Sequence, residues 1–305
     1  MKNERLTTWI LALALSVALS SGFCPQARAA KGSVKLAYVE WSSEIASTNM
    51  VRAVLQEKLD YDCEIVAMSA DEMWRAVADG QVDGMVAAWL PGTHGHYYEE
   101  VKDRVEDLGP NLEGTRIGLV IPNVTVGRQT AGSGLRNKPY IPVESIAELR
   151  EHADKFGGKI IGIDPEAGIM KKTDQAMKAY GLDDYRLVKG SEISMVAELS
   201  NAVRRQKWIV VTGWIPHWMF ARWELKFLDD PQNIYGEKEE IHTIVRKGLK
   251  EEMPEVYRFL DNFKWTPEDM GQLMIWIHEE GGIYPYEKAQ RFMRTHSKLV
   301  DSWLP

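Results

Sequence analysis

Residues 33–88 read SVKLAYVEWSSEIASTNMVRAVLQEKLDYDCEIVAMSADEMWRAVADGQVDGMVAA, and this stretch decides the fold. Three short runs rich in β-forming residues, at 33–39, 63–68 and 84–88, predict strands. The two stretches between them carry apolar residues at helical spacing and predict helices. Strands and helices that alternate along a chain are typical of a parallel sheet with helices on its faces. The sequence therefore predicts an α/β fold with a doubly wound, mostly parallel sheet.

A second unit of the same kind follows a change in composition. Residues 115–121 predict a further strand, and residues 123–143 are polar and rich in Gly, Pro and Asn, which is typical of a loop between lobes. Beyond it, the pattern predicts helices over 143–151, about 166–180 and 192–205, and strands over 159–163 and 208–212. We therefore expect two lobes, one formed by residues 31–120 with 222–305 and the other by residues 121–221.

The first 29 residues have the features of a secretory signal peptide. Basic residues precede an apolar run at 9–19, and Ala27-Arg28-Ala29 supplies the small residues that signal peptidase requires. The run is shorter than the roughly 20 residues of a membrane-spanning helix. We expect residues 1–29 to be cleaved and the protein to be exported to the periplasm. A lipid anchor on Cys24 is an alternative, although bulky Phe23 stands where lipoprotein signals carry a small residue.

Composition and charge exclude several classes of protein. The chain has a net charge of −7, and an acidic protein lacks the basic surface that nucleic-acid binding requires. Of its two cysteines, only Cys63 lies beyond the predicted leader, so a mature chain has no intramolecular disulfide and depends on a packed core. We expect a monomer that does not bind nucleic acid.

Tryptophan is unusually frequent, with eleven residues in the chain. Trp41, Trp89 and Trp214 each directly follow a predicted strand, where a large ring would face solvent unless a ligand covered it. A quaternary ammonium group cannot donate hydrogen bonds, but aromatic faces attract its diffuse charge, each by about 1–2 kcal/mol once water is excluded. The three rings therefore indicate a quaternary-ammonium site. Core packing accounts better for Trp74, Trp208, Trp223, Trp265 and Trp276, and it is also the favoured reading for Trp218.

The two predicted lobes share a short motif. Residues 88–91, Ala-Trp-Leu-Pro, and residues 213–216, Gly-Trp-Ile-Pro, each close a predicted strand, with His94 or His217 shortly after. Ligands of open α/β sheets bind beyond the carboxyl ends of the strands. The motif therefore indicates that the two lobes present a tryptophan each to one cleft.

The segment that follows the strand at 159–163 has features of an anion site. Residues 164–169, DPEAGI, lie between a strand end and a helix start, where unpaired backbone N–H groups favour an anion. Gly168 would let a ligand approach the main chain closely, and His94 could add a side-chain donor. A tight turn explains Gly168 equally well, so the spacing alone leaves both interpretations open.

Three stretches, AWLPGTH at 88–94, GWIPHWMF at 213–220 and LKFLDDP at 225–231, resemble the substrate-binding proteins of glycine betaine/proline betaine ABC importers. The resemblance extends over residues 34–305. It implies a periplasmic-binding-protein fold of the second type, in which two lobes close around the ligand.

The resemblance also implies roles for single residues. By position, Trp41, Trp89 and Trp214 match an aromatic prism around the quaternary ammonium group. The backbone amides of Gly168 and Ile169, together with His94, match the groups that hold the carboxylate. The implied ligand is glycine betaine, proline betaine or a related osmolyte, and the implied partner is the permease of an ABC importer.

Two alternatives to this interpretation remain. For an enzyme, the sequence offers no nucleophile elbow, phosphate-binding loop or dinucleotide motif, and His94 with His96 lacks a third metal ligand at a recognisable spacing. The sequence therefore predicts no catalysis, metal or cofactor. A protein of the same fold could instead bind choline, carnitine or a sulfonium compound, or act as a sensor domain. Choline lacks a carboxylate and would leave the amides at Gly168 and Ile169 without an anion.

Overall fold

The fold is organised around a sheet to which both predicted lobes contribute strands. The computed structural model describes residues 30–124 and 139–305, so the predicted leader and most of the loop at 123–143 lie outside the described residues. The strands in the described ranges are β1 (Ser33–Tyr38), β2 (Asp62–Ala67), β3 (Gly84–Leu90), β4 (Val105–Pro122), β5 (Lys159–Ile161), β6 (Arg186–Val188), β7 (Val211–Ile215), β8 (Leu225–Phe227) and β9 (Glu239–Arg246).

Two groups of parallel strands are joined by antiparallel ones. The strand order is β2-β1-β3-β9-β4-β7-β5-β6, and β8 pairs with β4. Strand β1 runs parallel to β2 and β3, and β5 runs parallel to β6 and β7. Strand β9 is antiparallel to β3 and β4, and β4 is antiparallel to β7. The predicted α/β class is confirmed, and each parallel group has the connectivity of a doubly wound sheet.

Strand β4 links the two groups. Its residues Val105–Thr115 pair with β9, and its residues Arg116–Val120 pair with β7. The chain therefore passes from one group of strands to the other inside a single strand of 18 residues. The lobe boundaries expected from the sequence, 31–120 with 222–305 and 121–221, stay a prediction.

Helices flank the sheet. They are α1 (Ser42–Glu57), α2 (Ala70–Ala78), α3 (Gly95–Val101), α4 (Gly168–Ala179), α5 (Glu192–Arg205), α6 (Met219–Arg222), α7 (Leu249–Glu252), α8 (Pro254–Asn262), α9 (Pro267–Glu279), α10 (Pro285–Thr295) and α11 (Ser297–Asp301). Helix α1 follows β1 and is buried along most of its length, where it contacts α9 and α10. Within the described ranges, no helix combines the length and the apolar character that crossing a bilayer would require.

The helix predicted over 143–151 is wrong in type and position. The segment forms a 3₁₀ helix at Ile146–His152. The N–H of Ile146 donates to the carbonyl oxygen of Asp229 at 2.9 Å, and the N–H of Glu148 donates to the oxygen of Ser145 three residues earlier. A tertiary hydrogen bond thus fixes the start of the segment at Ile146, and the bond from Glu148 to Ser145 has the three-residue spacing of a 3₁₀ helix.

Two strands that end at the cleft are longer or lie later than the sequence predicted. Strand β3 continues to Leu90, and β7 covers Val211–Ile215 instead of residues 208–212. Trp89 is therefore paired with Ile241 of β9, and Trp214 is paired with Ile117 of β4. Both rings stand on strands and not in the turns that follow, so ladder hydrogen bonds fix their backbones.

Candidate ligand-binding site

The six residues predicted to bind a ligand line one cavity. Trp41 precedes α1, Trp89 lies near the end of β3, His94 precedes α3, Gly168 and Ile169 begin α4, and Trp214 lies in β7. The carboxyl ends of β3 and β7 thus meet the N-terminal ends of α1 and α4. The lining is completed by Ser43, Thr93, Ile117, Ile163 and Ala167.

Three indole rings form the aromatic part of this cavity. Trp41, Trp89 and Trp214 are only 7, 4 and 5% exposed. The Nε1 of Trp41 donates to Oδ2 of Asp164 at 2.8 Å, which fixes the orientation of this ring. Among the described residues that line the cavity, none is a carboxylate. A cation in this cavity would therefore be stabilised by ring faces and not by an ion pair.

His94 contributes a neutral hydrogen-bond donor. The backbone N–H of Trp89 donates to Nδ1 of His94 at 3.2 Å, so the ring proton is on Nε2. This Nε2 is buried and has no hydrogen-bond partner among residues 30–124 and 139–305. Burial, with a smaller contribution from His96, lowers the pKa of His94 to about 3. The imidazole is therefore uncharged near neutral pH and can offer Nε2–H to an acceptor.

The start of α4 contributes backbone donors. The first N–H groups of a helix have no acceptor within the helix, and Ala167 at the N-cap provides no side-chain hydrogen bond. The helix dipole adds partial positive charge at this end. The amides of Gly168 and Ile169 can therefore bind an anion.

Gly168 also permits a close contact between the two sides of the site. A Cβ atom at this position would lie 2.1 Å from the carbonyl oxygen of Thr93. Any larger residue would force the Thr93–His94 turn away from α4. The glycine thus allows His94 and the α4 amides to line the same cavity, which is a more specific requirement than a tight turn.

A polar network that sequence reasoning missed lies beside the cavity. Glu192, at the start of α5, accepts hydrogen bonds at Oε2 from the N–H of Ser42 at 2.8 Å and at Oε1 from the hydroxyl of Ser42. His217 Nε2 donates to Oε1 of Glu192 at 3.1 Å, and Trp218 Nε1 donates to the Ser42 hydroxyl at 3.1 Å. These residues are far apart in the sequence, so no local pattern identifies the cluster.

The carboxylate of Glu192 accepts hydrogen bonds at both of its oxygens. Burial favours its neutral form, but the His217 ring and the hydrogen bonds from His217 and Ser42 outweigh this effect and lower the pKa of Glu192. The N–H of Met219 donates to Nδ1 of His217 at 3.0 Å, which leaves the Nε2 proton for Glu192. The network therefore ties the starts of α1 and α5 to the turn after β7.

The remaining tryptophans considered in the sequence lie outside the cavity lining. Trp74 and Trp265 are buried, and Trp208, Trp223 and Trp276 pack against the core with part of each ring exposed. Trp218 stacks on His278, with ring centroids 3.5 Å apart. Packing accounts for all six.

The fold and the cavity together define a solute-binding protein of the type II periplasmic-binding-protein class. The family model described as the substrate binding domain of ABC-type glycine betaine transport systems matches residues 32–295, and the chain belongs to this family.

Individual relatives agree with this membership. The glycine betaine/carnitine transport binding protein GbuC of Listeria monocytogenes is 49% identical over 175 residues, which are 57% of this chain and 56% of that protein. The match thus spans little more than half the length of this curated relative.

Two solved structures are similar over nearly their whole length. The glycine betaine/L-proline-binding protein ProX of Borrelia burgdorferi has 39% sequence identity and a TM-score of 0.81, with 90% of this chain and 97% of that chain covered. Lactococcal OpuAC, in a closed conformation with glycine betaine, has 39% identity and a TM-score of 0.79, with 90% and 100% covered.

Proposed function

We propose that this protein captures glycine betaine, or a related osmolyte such as proline betaine, and delivers it to the permease of an ABC importer. The observation that carries the proposal is that three buried indole rings and a donor-rich helix start line the same cavity. A trimethylammonium group requires aromatic faces, and a carboxylate requires hydrogen-bond donors. A zwitterion that carries both groups matches both parts of the site.

In this proposal the two charged ends of the ligand are bound by different residues. Trp41, Trp89 and Trp214 surround the quaternary ammonium group, with each face contributing on the order of 1–2 kcal/mol in the absence of water. The amides of Gly168 and Ile169 and the Nε2–H of His94 donate to the carboxylate. A neutral His94 suits this role because it binds an anion through a hydrogen bond and does not repel the nearby cation.

Closure of the two proposed lobes follows from where these residues lie. Trp41, Trp89 and His94 belong to the expected first lobe, and Gly168, Ile169 and Trp214 to the second. A ligand that contacts both lobes stabilises the closed form over the open form by the contacts it makes only in the closed form. The hydrogen bonds from Trp41 to Asp164 and from Ser42 to Glu192 join the same two lobes. We propose that they add to the stability of the closed form.

The proposal extends to location and assembly. Residues 1–29 act as a cleaved signal peptide, the mature protein works in the periplasm as a monomer, and it performs no catalysis. Carnitine is the second ligand to consider, because it also carries a trimethylammonium and a carboxylate group and appears in the name of the Listeria relative.

The test is a titration of the mature protein, residues 30–305, after unfolding and refolding to remove bound ligand. Tryptophan fluorescence and calorimetry are followed with glycine betaine, carnitine, choline and proline. We expect saturable binding of glycine betaine and little response to proline, since proline lacks a quaternary ammonium group. Binding of choline alone would keep the aromatic site and refute the carboxylate site. No binding of any of the four compounds would refute the proposed function.

A further inference from the structure

Ser43 is a cavity residue to which neither the motifs nor the resemblance gives a role. It lies in the first turn of α1, two residues after Trp41, and it is 1% exposed. It is one of the residues that line the cavity. Its Oγ is buried and has no hydrogen-bond partner in the described part of the chain. A buried hydroxyl without a partner costs about 1–3 kcal/mol, so the position calls for an explanation.

Two other polar side chains of the cavity lining have protein partners. The hydroxyl of Thr93 donates to Oε2 of Glu239, and the Nε1 of Trp41 donates to Asp164. Neighbouring serines of α1 are also bonded, since Ser42 donates to Glu192 and Ser47 donates to the carbonyl oxygen of Glu44 at 3.3 Å. Two buried side-chain atoms of the lining are left without a partner within the described residues, Oγ of Ser43 and Nε2 of His94.

A ligand carboxylate can accept hydrogen bonds from both of these atoms, Oγ of Ser43 and Nε2 of His94. Its two oxygens offer about four acceptor sites. The proposed function supplies three donors, from the two α4 amides and from His94. The trimethylammonium end of a betaine needs neither a donor nor an acceptor, so a fourth donor in the cavity has only the carboxylate to bind.

Resting on the proposed function, we infer that the Ser43 hydroxyl donates a hydrogen bond to the ligand carboxylate and completes its set of donors. Ser43 is then a specificity residue, which favours quaternary ammonium compounds with a carboxylate over those without one. The described residues supply no partner for this hydroxyl and the ligand carboxylate does, so the hydrogen bond contributes to binding and not to the stability of the unliganded protein.

The experiment compares Ser43→Ala, Ser43→Cys and the matched control Ser47→Ala by calorimetric titration of the refolded mature protein. Cysteine differs from serine only by a thiol in place of the hydroxyl, and the thiol is slightly larger and a weak donor. We expect both Ser43 variants to bind glycine betaine about tenfold more weakly, as for the loss of a hydrogen bond to a charged group. Choline affinity should change less than twofold, and Ser47→Ala should bind both compounds as the wild type does. The melting temperature of unliganded Ser43→Ala should equal or exceed that of the wild type.

Several results would overturn the inference. Wild-type affinity in Ser43→Cys would show that volume matters and not the hydroxyl. A parallel loss of choline and glycine betaine in Ser43→Ala would assign the residue to cavity shape. Undiminished binding in Ser43→Ala would also refute it. These outcomes differ from failure of the proposed function, in which the wild-type protein itself binds no glycine betaine.

Discussion

The turn after β3 and the turn after β7, each taken with the strand end before it, both carry a tryptophan, a proline and a histidine, and the two histidines have different surroundings. Each strand brings a buried tryptophan to the cavity, Trp89 or Trp214, and each is followed by a buried histidine, His94 or His217. In both histidines Nδ1 accepts a backbone N–H, from Trp89 in one turn and from Met219 in the other. Both rings therefore carry their proton on Nε2.

The two turns differ in the hydrogen-bond partner of the histidine Nε2 atom. In the β7 turn, Nε2 of His217 donates to Glu192 at 3.1 Å. In the β3 turn, Nε2 of His94 finds no such acceptor in the residues that the structure describes, and His94 lines the cavity. One histidine thus bonds within the protein, and in the proposed function the other binds the ligand. If the proposed function holds, the same motif gives a structural residue or a binding residue according to whether a buried carboxylate stands beside it.

The largest effect is expected from the feature that the two turns share. Trp89→Ala and Trp214→Ala should each weaken glycine betaine binding by about 100-fold or more, because each substitution removes a cation–π face and the apolar surface around the methyl groups. Calorimetric titration measures this loss. The matched control is Trp276→Ala, whose ring packs on Phe292 and Arg291 outside the cavity lining.

Trp276→Ala should lower the melting temperature and leave the affinity of the folded protein near that of the wild type. Equal losses of affinity in all three variants would remove the distinction between cavity rings and packing rings. A large loss in only one of Trp89→Ala and Trp214→Ala would show that the two turns do not share the ammonium group.

A smaller effect is expected from the feature that separates the two turns. Asparagine can replace Nδ1 as an acceptor but cannot supply the donor at Nε2. His94→Asn should therefore weaken glycine betaine binding about 10- to 100-fold, because it removes a hydrogen bond to a charged group. His217→Asn should instead leave Glu192 without one donor and lower the free energy of unfolding by about 1–3 kcal/mol. Calorimetry and thermal unfolding of both variants measure the two effects.

The comparison requires that each substitution affect a different property, ligand affinity in His94→Asn and stability in His217→Asn. A loss of stability without loss of affinity in His94→Asn, or the reverse in His217→Asn, would mean that the roles of the two histidines are exchanged or shared.

The sequence predicted those parts of the molecule that follow from local pattern. Alternating strands and helices gave the α/β class, and the rule that ligands bind at the carboxyl ends of strands pointed to Trp89 and Trp214 together. The first part of β4 escaped prediction, because Gly109 and Pro110 interrupt its pattern and its register with β9 shifts there. That strand segment is specified by pairing with residues more than a hundred positions away.

The polar part of the site could be predicted only in part. Gly168 and His94 were candidate anion-binding residues, but the spacing did not separate the Gly168 segment from an ordinary tight turn. Ser42 and Ser43 are adjacent residues of the same type. Only the fold determines that Ser42 bonds to Glu192 and that Ser43 lines the cavity. Hydrogen-bond partners of this kind are tertiary and leave no periodic signal.

The last expected effect concerns pH, and it follows from the burial of His94. Its pKa is about 3 in the folded protein, against an ordinary value of 6.5. Between these values the unfolded chain binds a proton at this position and the folded protein does not. The free energy of unfolding should therefore decrease as pH falls from about 6.5 towards 3, and His94→Asn should show a shallower decrease. Chemical denaturation of both proteins at several pH values measures the difference in slope.

Ligand affinity gives the matching test, because the same burial keeps His94 neutral. Glycine betaine affinity should stay constant between pH 8 and about pH 5, whereas a histidine with an ordinary pKa would produce a step near 6.5. A step in affinity near that pH in the wild type, absent from His94→Asn, would mean that His94 binds the carboxylate as a charged imidazolium. In that state Nδ1 could not accept the N–H of Trp89, so the β3 turn would have to rearrange on binding. The likeness between the two turns would then hold only for the unliganded protein.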